Sequence, residues 1–519
     1  MKATGVRVNA NSWASALCAV ALVGCAIAPP APPTFKRHTP AEIASYQLSQ
    51  FSAPLASTDG AQQARAKALA GLASAAANPA AASEDAIAQA LRAVAFYDIE
   101  HDAGRRLLRA TLTDASRPLP VRPIDFQRAV LTAAHTFDAA GSAPLIAPLL
   151  EQLSTPRQFA IAAYTLRRAD ASAVQRQQLQ DALARRTDRD DPRLLALARV
   201  LQEDASGQVP VRPPLVDLLA APFKPGLPVV YSLQRRDRRH LGLALVRGPD
   251  GQFERAADGS LFHIPHLALA LSGLPGTVTL GNTPQGLFTV VGTGTALNPW
   301  IGPTPFLESK IPTEATPDEF AHSPTGPTSP TSPTSPTSSV GPAGSPGSAL
   351  PGGLAGSAEP AGRPGSAEPA GRPGSAEPAG LAGSAEPAGI TAWSLALYDS
   401  WLPASWRGYA PMQEAWLAGL AGRDEMLAHG TAVDPTPYRG QSYFPGTPTD
   451  GCLMAQEVWS PTGQLLRSDQ LALARAFTRG GQDRGHLVVV ELDDQPRAVT
   501  LQDVIDAVRA AELVTIDRH

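Results

Sequence analysis

Aromatic residues make up only 6% of this 519-residue chain, cysteine occurs three times, and the formal net charge is -4. The weakly acidic balance, with a pI near 6.2, lacks the basic footprint of a general nucleic-acid binder, so no nucleic-acid partner is expected. Few aromatics beside 51 prolines and 44 glycines exclude one continuous core and imply globular parts joined by low-complexity sequence. Past the N-terminal leader, no apolar run approaches the ~20 residues that a membrane-spanning helix needs. There is no phosphate-binding glycine loop and no His-Glu-x-x-His pattern of zinc proteases. His263 and His266 form a His-x-x-His pair, but no third ligand sits at a recognisable spacing, so neither metal nor cofactor is expected. What the length does allow is two or three domains.

The chain opens with Lys2 and Arg7 ahead of an apolar run from Trp13 to Val23, too short to span a bilayer and read as the core of a signal peptide. The run ends in Leu22-Val23-Gly24-Cys25, which resembles the lipobox of bacterial lipoprotein signals. The resemblance implies a signal peptide over 1–24, cleavage before Cys25, and lipid on Cys25 as the membrane anchor. A Pro-rich tether over 25–39 would follow. Ala26, rather than Asp, points to the outer membrane in a cell with two membranes. Cys18 then leaves with the leader, and Cys452 is the single thiol of the mature protein. It has no internal disulfide partner. An unpaired cysteine in an exported protein is either reactive or an intermolecular link, unless it is buried and packs like a small hydrophobe.

Residues 40–212 read as an α-helical domain, with apolar side chains such as Ile87, Leu91 and Val94 at helical spacing. Stretches starting at Phe126, Phe159 and near Leu194 are loosely alike at offsets above thirty residues. Stacked helix pairs of a HEAT-like repeat and a plain bundle both fit that pattern. Acidic and basic residues are spread out here as on solvated helix faces, no catalytic constellation stands among them, and a protein partner is one role open to this domain. From residue 213 to 321 short strands with turn signals predict a mostly β fold, with candidates at Val229 to Leu233, Leu241 to Val246, Val278 to Leu280 and Leu287 to Val291. Residues 322–389 hold Ser-Pro-Thr repeats and four Gly-Ser-Ala-Glu-Pro-Ala-Gly copies, and are expected to be a disordered insertion because they offer too little apolar surface to fold. The β fold resumes over 390–519, with a strand at Leu487 to Leu492 and a closing helix at Leu501 to Ala511. The fold class is thus α + β multidomain, all-α first and mostly β second. Arg235-Arg236-Asp237-Arg238-Arg239 reads as a solvated hairpin turn, ahead of a contact for anionic cell-wall polymer or lipid.

Three motifs lie in the β-rich half: Gly281-Asn282-Thr283-Pro284-Gln285-Gly286-Leu287-Phe288, His429-Gly430-Thr431 and Thr449-Asp450-Gly451-Cys452-Leu453. In this order they resemble the L,D-transpeptidases with a YkuD-type catalytic domain, over about residues 229–494 without the insertion. The resemblance implies a cysteine acyltransferase acting on peptidoglycan stem peptides. Cys452 is then the nucleophile and His429 the base, the Gly430 carbonyl orients the base, and the Gly451 and Cys452 backbone N–H groups stabilise the oxyanion. Thr283, Gly286, Thr449 and Asp450 would line the substrate. The chemistry needs these types. The thiolate is the attacking species, a free thiol is mostly protonated at neutral pH, and an adjacent imidazole removes the proton. The sequence departs from the family's pattern where Asp450 replaces the histidine before Gly-Cys and Leu453-Met454 replace the usual Arg or Asn. A carboxylate beside the thiol raises its pKa. The alternative is a non-catalytic envelope scaffold that binds cell wall or a protein. His486, downstream of Cys452, would suit a papain-like hydrolase of the NlpC/P60 kind, but the surrounding motifs do not match.

Overall fold

The computed structural model describes residues 36–208, 210–322 and 393–516. The signal peptide, Cys25, most of the tether and nearly all of the repeat insertion lie outside the described residues.

The helical part comprises α2 (Thr58–Ala77), α3 (Glu84–Tyr97), α4 (His101–Leu112), α5 (Ile124–Phe137), α6 (Ala139–Ile146), α7 (Pro156–Ala169), α8 (Ala173–Ala184) and α9 (Pro192–Ser206), after a short α1 (Pro40–Ser45). Local sequence sets several starts. Ser57, Ser83, Thr155, Ser172 and Asp191 each accept a backbone N–H as N-cap, and Pro156 and Pro192 occupy first-turn positions that need no donor. Helices pack in successive pairs, α2 on α3, α4 on α5, α6 on α7 and α8 on α9. Within the row, α3 also touches α5, α5 touches α7 and α7 touches α9. The three loosely similar stretches are therefore α5, α7 and α9, neighbours in one row. Residues 36–51 do not join this domain, while Pro54–Ala56 packs on α2. Ile43 and Phe51 are buried in the core of the β part, so the helical domain begins at α2 rather than at residue 40.

The β part has β1 (Lys36–Arg37), β2 (Val229–Gln234), β3 (Gly242–Arg247), β4 (Ile264–Leu267), β5 (Gly286–Thr295), β6 (Phe306–Lys310), β7 (Leu427–His429), β8 (Leu453–Ala455), β9 (Glu457–Trp459), β10 (Leu465–Ser468) and β11 (Gly485–Glu491). The large sheet runs β1-β5-β11-β2-β3-β4-β8-β7-β6, and β6 pairs back onto β5, closing an eight-stranded barrel with β1 as an appended strand. The pairs β11–β2 and β7–β8 are parallel. Strands β2, β3 and β11 read as nearly unbroken apolar runs because both their faces are covered. One face, with Val230, Ala244, Val246, Phe288 and Val489, shares a core with Leu473, Ala474 and Phe477 of α14 (Asp469–Thr478). That helix touches β3, β4, β6 and β8, strands from different parts of the wall, so this set is the barrel's filling. The other face, with Val229, Tyr231, Leu233 and Val490, packs under α10 (Leu215–Ala220), α12 (Leu395–Ser400) and α15 (Ile505–Ile516). Phe320 of α11 (Pro317–Phe320) meets Trp393 with ring centroids 5.2 Å apart, so the described chain leaves and re-enters at one place on the barrel.

Two expectations are corrected. Val278 to Leu280 is a turn-rich loop rather than a strand, and Leu274 and Val278 are buried in the helical domain's core. A short apolar run is compatible with any buried segment, and here the buried surface belongs to another domain. Arg235 is no solvated turn residue. It is fully buried, paired with Asp493 at 2.6 Å and Asp503 at 2.7 Å, while Arg238 pairs with Glu491 at 2.9 Å.

Candidate active site at the Cys452 turn

Strands β7 and β8 run side by side and parallel, with Ala428 opposite Leu453 and His429 opposite Met454. Parallel neighbours need a crossover, and residues 430–452 supply it, which explains the long interval between His429 and Cys452. Ala428 and Leu453 point into the barrel filling. Side chains alternate along a strand, so His429 and Met454 take the opposite face. Cys452 immediately precedes β8, at the end of the turn beside β7.

The imidazole is buried, and its Nδ1 lies 2.6 Å from the Gly430 carbonyl oxygen. A carbonyl only accepts, so Nδ1 carries the proton and Nε2 keeps its lone pair. Gly430 O also accepts from Gly302 N at 2.8 Å. Burial holds the imidazole below the usual histidine range, opposed by the Gly430 bond and by Asp450. His429 is therefore the neutral form that a general base requires. The Glu457 carboxyl lies against Gly430, where an added Cβ would come within 2.2 Å of Glu457 Cδ. It accepts from Thr304 Oγ1 at 2.6 Å and Ser468 Oγ at 2.9 Å, and burial pushes it up to about 7.

The turn before β8 is pinned from within. Thr449 Oγ1 accepts from Gly451 N at 3.0 Å and donates to Cys452 O at 2.7 Å, and Thr283 Oγ1 donates to Gly451 O at 2.8 Å. The hydroxyls of Thr283 and Thr449, expected to meet substrate, thus shape the turn. The Gly451 N–H, expected in the oxyanion site, already has a partner, which leaves the Cys452 N–H as the candidate donor. Gly451 sits at φ +117, and a Cβ there would fall 2.1 Å from Arg423 Nη2 and 2.6 Å from Gly281 O, so only glycine fits. Gly286 opens β5 in the barrel wall, packed against Ala415 of α13 (Glu414–Leu420) and Tyr398 rather than against the turn.

The sulfur's hydrogen-bond partner is the Glu425 carbonyl, 3.7 Å away, rather than the imidazole. Burial pushes the thiol up to about 11. A Leu427 N–H and Arg423 pull it down, while Asp450 and Glu425 add to the rise. Asp450 is half-exposed, and both its oxygens are held by Arg92 of α3 at 3.1 and 2.9 Å. Arg423 was not singled out from the sequence. It stands in an ordinary Gly-Arg-Asp-Glu stretch, and no local pattern separates it from a surface arginine. In the fold it is buried beneath the turn, donating through Nη1 to Gly276 O at 2.5 Å and Asn282 O at 2.8 Å.

The other histidines stand apart from the thiol's own contacts. His486 Nε2 bonds Phe320 O at 3.2 Å among aromatic rings, and burial lowers its pKa to about 3. His266 Nδ1 meets Ser232 Oγ at 2.9 Å, while His263 Nδ1 bonds its neighbour's carbonyl, Leu261 O. Among the described residues no group of three or more His, Cys, Asp or Glu could hold a metal ion. Comparison of the chain with family models, curated proteins and solved structures finds no match to any of them.

Proposed function

We propose that this chain is a cell-wall cysteine acyltransferase of the L,D-transpeptidase kind, exported and held to the membrane, at the periplasmic face, by lipid on Cys25. The observation that carries the reading is the His429 Nδ1 bond to the Gly430 carbonyl, on the strand paired with the one that follows Cys452. It fixes the tautomer whose Nε2 can take the thiol proton. In the reaction, His429 takes the Cys452 proton and the sulfur attacks a stem-peptide carbonyl. The C–N bond breaks, D-Ala leaves as the amine with the proton from His429, and a thioester remains. An amine or water then attacks the thioester and regenerates the thiol. The Cys452 N–H is the donor proposed for the oxyanion. The helical pairs suit a HEAT-like stack with a protein partner as its role.

The second reading, a non-catalytic scaffold on the cell wall, is favoured by the sulfur's contact with Glu425 O and by its raised pKa. Mass spectrometry of the mature protein incubated with tetrapeptide-stem muropeptides separates the two. An acyl adduct on Cys452 with D-Ala release is expected. It should be absent in Cys452→Ala and slower by ~10²-fold or more in His429→Ala, as for loss of a general base. No adduct on folded wild type with a free thiol overturns the acyltransferase reading in favour of the scaffold.

A further inference from the structure

We infer that Arg423 is the counter-ion of the Cys452 thiolate, a positioning residue supplied by the segment before β7 rather than by the cysteine's own strand. The inference deepens the acyltransferase reading and rests on it for its biological meaning.

The guanidinium is buried, yet among the described residues it forms no ion pair with a carboxylate. Its partners are two carbonyls on Nη1 and the Met426 thioether, 3.6 Å from Nη2. A buried cation is costly unless an anion compensates it, and a thioether is a weak acceptor. Nη2 is also the atom directly beneath Gly451, the residue before the cysteine. The absent Cβ of Gly451 is what lets the guanidinium come this close, so the tight turn and the buried cation are parts of one arrangement.

Few charges face the sulfur from the elements around it. The turn itself brings Asp450, which Arg92 of α3 already engages. The approach to β7 brings Asp424 and Glu425, both exposed, and the partly buried Glu314 carboxyl that accepts from Glu425 N at 2.9 Å; β7 brings neutral His429. The 270–284 loop carries no titratable side chain at all. Arg423 is thus the only buried cation at the turn among the described residues, and Cys452 is the first of the groups that raise its pKa back against burial, ahead of Asp424. When His429 removes the thiol proton, the sulfur becomes the anion this cation lacks. The pair would also offset the burial and the carboxylates that otherwise keep the thiol protonated.

The test is the pH dependence of Cys452 alkylation by iodoacetamide in the full chain, read on the Cys452-containing peptide by mass spectrometry. Arg423→Met should move the midpoint up by about one pH unit or more, which is about tenfold slower labelling at a pH below both midpoints. Arg423→Lys, which keeps the charge, should move it less. An unchanged midpoint in folded Arg423→Met overturns the inference. A second comparison keeps Arg423 in place and does not depend on that variant folding: Cys452→Asp against Cys452→Asn at pH 8. A carboxylate set beside an uncompensated cation should give the higher melting temperature. A lower one for Cys452→Asp shows that the cation does not face this position and overturns the inference. Neither readout uses a muropeptide, so a protein that passes both and forms no acyl adduct refutes the acyltransferase reading alone.

Discussion

Arg92, on a helix of the N-terminal domain, holds both carboxylate oxygens of Asp450, two residues before Cys452 in the barrel domain, at 3.1 and 2.9 Å. The pair crosses between the two halves of the molecule at the turn that carries the thiol. Asp450 raises the pKa of both Cys452 and His429, so the helical domain reaches the surroundings of the thiol through the charge it engages. A second link runs the other way. Leu274 and Val278, from the loop that leads to Thr283, fill the helical core.

The ion pair predicts opposite effects for its two members. Asp450→Asn removes a carboxylate from the thiol's surroundings, so Cys452 alkylation at a fixed pH near 8 should quicken. Arg92→Ala leaves Asp450 uncompensated, and alkylation should slow. Both groups are about half-exposed, so either change should alter stability by no more than about 1 kcal/mol. Alkylation rates beside denaturant melts check both points. Equal rates in all three proteins would remove Asp450 from the thiol's electrostatics.

Glu457 predicts a pH dependence of stability. Its carboxyl has an unfolded value near 4.5 and a folded value of about 7. Below the unfolded value both states are protonated and nothing is lost. Between the two values the folded state holds the proton more tightly, so stability falls as pH rises, and above the folded value the full cost is present. The span corresponds to an upper limit of about 3 kcal/mol. Glu457→Gln keeps the shape without the charge, so its melting temperature should decline less than the wild type's over that window. Parallel slopes for the two proteins would show that burial does not govern this carboxyl.

Leu274 predicts that the two domains unfold together. Leu274→Ala removes a fully buried side chain from the helical core and should cost about 2–5 kcal/mol. Although the residue belongs to the β domain's chain, the loss should appear in the helical signal of far-UV circular dichroism. It should appear equally in the near-UV signal of the tryptophans packed on the barrel. A change confined to the near-UV signal would mean that the loop is not part of the helical core.

Much of the fold was legible in the sequence because it follows from local periodicity. Val229 to Leu233, Leu241 to Val246 and Leu487 to Leu492 fall on β2, β3 and β11 almost residue for residue, and the stretches at Phe126, Phe159 and Leu194 fall on α5, α7 and α9. Val278 to Leu280 failed because a short apolar run says that a segment is buried without saying in which core.

The site divides along the same line. The sequence by itself determined the pieces with a local signature: the single thiol among the described residues, the glycine that lets its turn form, and the histidine whose own next carbonyl fixes its tautomer. Those depend on residues adjacent in the chain. Only the tertiary structure decided what surrounds them. It assigned Thr283 and Thr449 to the turn, moved Gly286 away into the barrel wall, buried Arg235, set Arg92 on Asp450 and brought Arg423 under Gly451. Each of these is a pairing made through space, and a charged or polar side chain carries no local pattern that names its partner. Its role is set by the dielectric and the neighbours that folding provides.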